Sequence, residues 1–301
     1  MKIKFIAYFN KDKAIYNFIN DIWNVDGAYD DILTCGNDHT HLVVFCKAKF
    51  RFPKENTYGI IMEPFWSPNF DKGLQDRCNK LLSFQPEKYP NNKNVLFHPL
   101  ILTHRLYECP YHGEIIYKEN TTRDILKTNF VKSKKLSIIL SRKPDVLLSK
   151  TKYPEALYYE RDQLVRKLMD SDLDFDLFGQ DWDIKDDRYK GFISNKIEGL
   201  RDYEYTIALE NSNIPGYITD RISDPVLCGT IPIYNGAPDV DVHYPNSCEY
   251  LEYDGNEIER IRGIINSGKT ASDYDFENTK HLFLNEYNPI RIIKQLIETG
   301  N

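Results

Sequence analysis

Short apolar runs of strand length alternate with longer stretches of helical periodicity along most of this chain, and that alternation restricts it to the α/β class with parallel sheets. The strand-like runs are Lys2 to Phe9, His41 to Cys46, Tyr58 to Met62, Leu136 to Leu140, Asp174 to Phe178, Tyr205 to Leu209 and Ile231 to Tyr234. Parallel strands need a covering crossover, and the stretch between the first two supplies one. There Ile15, Phe18, Ile19, Ile22 and Trp23 recur at three- and four-residue spacing and form one apolar face. Leu157 to Met169, Ile258 to Ile265 and Pro289 to Ile297 predict further helices, the last at the C-terminus. A chain of 301 residues exceeds the roughly 250 at which single cores stop growing, so two domains are expected. The polar stretch Lys118 to Lys135 is the best linker and divides the chain into 1–125 and 126–301, with the C-terminal helix expected to pack back on the first part. Two α/β halves around a cleft serve several unrelated functions, so the architecture alone assigns none.

Composition narrows the partners. Thirty-nine lysines and arginines against 45 aspartates and glutamates leave a formal net charge of −6, which argues against an unassisted grip on nucleic acid or anionic lipid. No stretch approaches the roughly 18 to 20 apolar residues of a membrane span. The opening residues Met1 to Phe9 are too few and, with Lys2 and Lys4, too charged for a signal peptide, so a soluble, cytoplasmic protein is expected. Cys35, Cys46, Cys78, Cys109, Cys228 and Cys248 lie far apart, as reduced thiols do. Asp-x-Asp pairs invite a metal reading, but Asp172, Asp174 and Asp176 alternate with Leu173, Phe175 and Leu177, the pattern of an amphipathic strand with its acids on one face. The same spacing recurs at Asp181 and Asp183, Asp239 and Asp241, and Asp273 and Asp275, so no metal site is assigned. His39 and His41 read as a polar strand edge, and no Gly-rich phosphate loop or nucleophilic serine or cysteine motif is present.

The most informative stretch runs from Tyr205 to Val240: a buried strand, Glu210-Asn211-Ser212, a loop, Gly216-Tyr217-Ile218-Thr219-Asp220-Arg221, a helix, Cys228-Gly229-Thr230, and Ile231-Pro232-Ile233-Tyr234-Asn235-Gly236. Its polar groups gather where the first strand ends, the place where α/β sheets bind ligands. Thr219 suits a helix N-cap, and the amides, dipole and Arg221 that follow would favour an anion such as a diphosphate. From Glu210 to Gly236 the order of residues resembles, without a gap, the signature of the α-1,3/4-fucosyltransferases, glycosyltransferase family ten. The resemblance implies two Rossmann-like domains facing a cleft, the glycosyltransferase B architecture. It implies that Asn211 and Tyr217 contact the donor, Asp220 the ribose hydroxyls and Arg221 the diphosphate. Asp220 stands where the family has glutamate, Arg221 where it has lysine, and Pro225 where alanine is common; a proline costs little only inside the first helical turn.

Two further matches lie upstream. The strand Leu136 to Leu140 with Ser141, followed by Arg161 seven residues before Leu168, resembles the family's serine-ended strand and donor arginine. Arg161 falls on the apolar stripe of Leu157, Leu164, Val165 and Leu168, and a charge there needs a partner: the resemblance implies the donor pyrophosphate, or else the side chain snorkels to solvent or pairs with a core carboxylate. After the strand at Tyr58 to Met62, Glu63-Pro64-Phe65-Trp66-Ser67-Pro68-Asn69 resembles the loop that carries the family's catalytic glutamate. Glu63 is then the candidate base that deprotonates the acceptor hydroxyl, or else a carboxylate that caps the strand end. Phe65 and Trp66 are candidate acceptor-binding residues, or else they pack the loop.

The resemblance implies an inverting transfer of fucose from GDP-fucose to an oligosaccharide or other glycan acceptor, with no cofactor and no bound metal. The alternatives are the same scaffold with another donor such as GDP-mannose, or an inactive glycan- or nucleotide-binding module.

Overall fold

A computed structural model describes residues 1–7, 12–45, 49–67, 70–71, 73–89, 93–101, 122–150 and 155–300. The chain divides into two compact units. The first takes in the described residues before 103, those up to Lys127, and those from His281 onward; the second runs from Thr128 to Lys280.

The first unit is built on a five-stranded parallel sheet in sequential order, β1 (Ile3–Ala7), β2 (His41–Phe45), β3 (Thr57–Ile60), β4 (Lys80–Ser83) and β5 (Val95–Phe97). Helix α1 (Asp12–Trp23) turns its predicted apolar face inward, with Ile15, Ile19, Ile22 and Trp23 all buried. Phe5 and Phe45 stack at 5.5 Å between ring centres, and Trp23 closes the cluster at 5.6 Å from Phe45. The expected linker is only partly one. Thr122–Lys127 forms helix α2, whose Thr122 Oγ1 donates to Asp21 Oδ2 at 2.9 Å, and Lys134 and Lys135 already belong to a strand; Lys118 to Thr121 lie outside the described residues. The C-terminal helix α3 (Pro289–Thr299) also belongs to this unit. Asn288 caps it, accepting from Ile290 N at 2.9 Å, while Asn288 Nδ2 donates to Trp23 O at 2.7 Å and ties the helix to the end of α1.

The second unit carries a six-stranded, all-parallel sheet. Its strands are β6 (Lys134–Ile139), β7 (Asp176–Phe178), β8 (Tyr189–Gly191), β9 (Tyr203–Leu209), β10 (Ile231–Asn235) and β11 (Glu249–Tyr250), and their spatial order is β11-β10-β9-β6-β7-β8. The chain lays β7 and β8 outward on one side of β6, then returns to place β9 on the other side. The sheet's switch point therefore falls between β6 and β9, where Ile138 is in register with Ile207. Apart from Glu204, every residue of β9 is buried, as a central parallel strand covered on both faces requires. Helices α4 (Tyr158–Met169), α5 (Asp220–Leu227) and α6 (Glu257–Ile265) belong to this unit.

Several expected boundaries are corrected. Ile61 and Met62 leave the strand, although Ile61 N still donates to Leu82 O at 2.9 Å. The strand expected from Asp174 begins only at Asp176, so the three acids do not share one strand face: Asp172 pairs with Arg262 at 2.6 Å and Asp176 with Lys134 at 2.8 Å. Pro225 sits in the second turn of α5 rather than the first, where it removes the helical hydrogen bond to the carbonyl of Arg221. Cys35, Cys78, Cys228 and Cys248 are unpaired, Cys35 being exposed; Cys46 and Cys109 lie outside the described residues, as do Tyr8 and Phe9.

Candidate functional site

The crevice outside the carboxyl ends of β6 and β9 is where an open parallel sheet binds its ligand. Leu140 and Ser141 follow β6, and Glu210 and Asn211 follow β9. The first pair is held by a close backbone approach: Gly179 has φ 146°, and a Cβ on it would lie 2.0 Å from Leu140 O. Only glycine fits there. Trp182 Nε1 donates to Leu140 O at 2.6 Å, and Gln180 N donates to Ser141 Oγ at 3.0 Å, which fixes the serine side chain.

Arg161 and Arg221 converge on this end of the sheet. Arg161 lies on the inner face of α4, 6% exposed, with its guanidinium 5.6 Å from the centre of the Tyr158 ring. It borders a small cavity with Ser141, Tyr158 and Trp182. Arg221 lies in the first turn of α5, and its NH1 donates to Ile139 O at 3.1 Å. Neighbouring arginines are paired: Arg142 and Arg166 both donate to Asp162, at 2.9 and 2.8 Å. Among the described residues neither Arg161 nor Arg221 has a carboxylate in ion-pair contact. Burial, and next the like charge of Arg221, push the Arg161 guanidinium down to about 10. Two cations brought together, one of them buried and neither in ion-pair contact with a carboxylate although the Glu210 carboxyl acts on both, are stabilised by an anion that brings two or more negative charges.

The Glu-Asn-Ser segment divides its work. Glu210 is a structural acid, which sequence reasoning had not singled out. Thr219 donates to it twice, from N at 2.7 Å and from Oγ1 at 2.8 Å, and Tyr234 OH lies 3.4 Å away. Thr219 in turn caps α5, its Oγ1 accepting from Arg221 N at 3.4 Å. Burial pushes Glu210 up to about 7 against the opposing pull of the Thr219 amide and the Arg221 charge. Gly236 completes the motif because a Cβ there would lie 2.3 Å from both Glu210 Cγ and Tyr234 OH. Asn211 faces the arginine side: its carbonyl accepts from Leu157 N at 2.8 Å, Nδ2 reaches Tyr158 OH at 3.5 Å, and Oδ1 is buried without a hydrogen-bond partner. Tyr217 is buried, 4% exposed.

Asp220, at the first position of α5, is buried and engaged. Lys196 donates to its Oδ2 and also to Asp224 Oδ2, the latter at 2.6 Å. Of the donor-side candidates, Ser141, Arg161, Asn211, Tyr217, Asp220 and Arg221 thus all lie in the second unit, and the structure links Ser141, Arg161 and Asn211 through Tyr158 and its cavity. Tyr158, three residues before Arg161 and so on the same helix face, could have been found from that spacing. Nothing in the sequence points to Lys196.

Glu63 belongs to the first unit, half-buried just past the end of β3. A turn follows it, with Ser67 N donating to Pro64 O at 2.8 Å and Phe65 N donating to Gln85 Oε1 at 3.2 Å. The Phe65 ring packs 5.0 Å from Phe70 and takes Lys88 Nζ at 5.5 Å, and both Phe65 and Trp66 are half-buried. Pro68 and Asn69 lie outside the described residues. Among the described residues no group of three or more histidines, cysteines or acids is arranged to hold a metal ion, and no helix is long and apolar enough to cross a membrane.

Comparison with known proteins bears on this arrangement directly. Residues 144–252 match the family model described as glycosyltransferase family 10 (fucosyltransferase) C-term, a span that holds Arg161, Glu210, Asp220, Arg221 and Gly236. Over 140 residues the chain is 32% identical to alpha-(1,3)-fucosyltransferase B of Drosophila melanogaster, covering 43% of this chain and 31% of the fly protein. Over 48 residues it is 42% identical to alpha-(1,3)-fucosyltransferase FucT of Helicobacter pylori, covering 16% of this chain and 10% of that protein. The matched stretches span about a third or less of these curated relatives. In fold the chain is similar to an alpha1,3-fucosyltransferase crystallised with GDP, with a TM-score of 0.50, 16% identity, and 95% of this chain and 91% of that chain covered. The α/β fold with two parallel sheets is that of the glycosyltransferase B class.

Proposed function

We propose, from the premise that residues 144–252 are a fucosyltransferase segment of glycosyltransferase family ten, that this chain is a glycosyltransferase moving fucose from GDP-fucose to a carbohydrate acceptor. The observation that carries this reading is the convergence at the switch point of Arg161, which is buried, and Arg221, which is half-buried, neither in ion-pair contact with a carboxylate among the described residues. In this reading the two arginines and the start of α5 neutralise the donor diphosphate, a task that needs no metal ion. Ser141, Asn211 and Tyr217 hold the nucleotide sugar, and Asp220 accepts from its ribose hydroxyls. The acceptor oxygen attacks the sugar carbon from the face opposite the nucleotide, the bond from that carbon to the β-phosphate oxygen breaks, and GDP leaves with the electron pair. Glu63 takes the acceptor's proton, Phe65 and Trp66 face the acceptor, and the configuration at the sugar carbon inverts.

One observation favours a variant of this reading. Asp220 and Arg221 both depart from the family's residue types, Asp220 being shorter than the family's glutamate and already held by Lys196, and the variant keeps the GDP portion of the donor while exchanging the sugar, as in GDP-mannose. Thermal unfolding with a panel of nucleotides tests both readings, because a ligand that binds only the folded state raises its stability by mass action. GDP and its fucose conjugate should stabilise the chain, UDP and CMP conjugates should not, and EDTA should change nothing. Stabilisation by UDP-sugars equal to that by GDP-sugars would sink the donor assignment, and GDP-mannose surpassing GDP-fucose would select the variant.

A further inference from the structure

Lys196 stands 24 residues before Asp220 and 28 before Asp224, yet its ammonium joins them. The two aspartates are four residues apart and share one face of α5, where they are 7% and 1% exposed. Like charges so placed oppose each other's ionisation, and a single cation donating to both offsets that cost. The lysine is delivered from a fixed base. It opens a short turn, Lys196–Gly199, in which Asn195 accepts from Ile197 N at 3.0 Å and Ser137 Oγ, from the centre of β6, donates to Gly199 O at 2.7 Å. A Cβ on Gly199 would come 2.8 Å from Ile139 Cδ1, so the turn lies against the strand. Lys196, Asp220, Asp224 and Arg221 border one small cavity beside Ile139, the residue whose carbonyl holds Arg221.

We infer that Lys196 is a positioning residue of the donor site: anchored on β6, it holds Asp220 through Oδ2 and so sets the direction in which that carboxylate meets the ribose. The inference rests on the ribose role given to Asp220 above. Lys196 takes one oxygen of a carboxylate that offers about four acceptor sites, and the ribose role given to Asp220 calls on the remaining acceptor capacity. The side chain's own torsions would let it swing, and the lysine removes that freedom.

The test is calorimetric titration of the full chain with GDP and with 2′,3′-dideoxy-GDP. Wild type should prefer GDP by about ten-fold or more, the worth of a charge-assisted hydrogen bond. Lys196→Met removes the ammonium that donates to the buried Asp224 and is at risk of misfolding, so the informative variant is Lys196→Met with Asp224→Asn. Its GDP affinity should fall about ten-fold while its dideoxy-GDP affinity stays at the wild-type value, and Lys196→Arg should keep the preference. A double variant that retains the full preference for GDP would make Lys196 a purely structural cation and overturn the inference alone. A wild type without that preference would overturn it together with the ribose role of Asp220, and a wild type that does not bind GDP would remove the donor reading itself.

Discussion

Glu210 accepts two hydrogen bonds from Thr219, at 2.7 Å from the main-chain nitrogen and 2.8 Å from Oγ1, and so ties the end of the central strand to the cap of the helix that carries Arg221. The carboxyl is 2% exposed and its affinity for a proton is raised to about 7 by burial. In the unfolded chain it titrates near an ordinary glutamate, about 4.3. Between these values the folded state binds more protons than the unfolded one, so the contribution of Glu210 to stability is complete at about pH 4 and is lost as pH rises through about 7. Asp224, also raised to about 7 by burial, acts in the same direction. The melting temperature should therefore fall between pH 5 and pH 8, and Glu210→Gln, whose amide still accepts from Thr219 N, should flatten that slope. A slope unchanged in the variant would place the linkage elsewhere.

Gly236→Ala should destabilise the second unit. The added methyl would lie 2.3 Å from Glu210 Cγ and from Tyr234 OH, both buried and hydrogen-bonded, so neither can swing aside cheaply. Overpacking of this kind costs about 1–3 kcal/mol. Denaturant unfolding monitored by circular dichroism reads the loss, and an unaffected midpoint would mean that the strand end relaxes.

Arg161→Ala and Arg221→Ala should each weaken GDP binding by roughly 1.5–3 kcal/mol, the worth of a charge-assisted contact to phosphate. The deficit should be shared by GDP and GDP-fucose and absent for guanosine, which carries no phosphate. Because burial and the repulsion of Arg221 disfavour the charged form of Arg161, either truncation alone should not unfold the protein. Calorimetric titrations with wild-type affinity in both variants would make these arginines structural.

Much of this was legible in the sequence, and the exceptions have physical causes. The apolar spacing of Ile15 to Trp23 located the first helix, and the stripe around Arg161 implied a buried charge, because a 3.6-residue period reports which face turns inward. Thr219 was readable as a cap from its place before Asp220 and Arg221. Lys80–Ser83, Val95–Phe97 and Tyr189–Gly191 escaped notice because each is three or four residues long and carries its strand character only through its neighbours. Glu210 read as part of a binding motif, whereas its role is to join two elements, a fact visible only once Gly236 and Tyr234 close over it. The bond from Lys196 to Asp220 has no local signal, since ion pairs across 24 residues depend on the fold that brings them together.

Glu63→Gln should abolish sugar transfer while leaving GDP affinity and stability near wild type. The amide keeps the shape of the carboxylate at its half-buried place past β3 but cannot take the acceptor's proton, and general base catalysis contributes about 10²- to 10⁴-fold. Glu63 lies in the first unit and the arginine pair in the second, so binding and chemistry should separate in the measurements. Calorimetry with GDP and a mass-spectrometric assay of transfer, run on the same preparation, distinguish the outcomes. Transfer at near wild-type rate would leave Glu63 as a loop residue and move the search to other acids of the first unit such as Asp71. Loss of GDP affinity together with transfer would instead make the Glu63 turn part of the donor site, and the roles given to the two units would have to be exchanged in part.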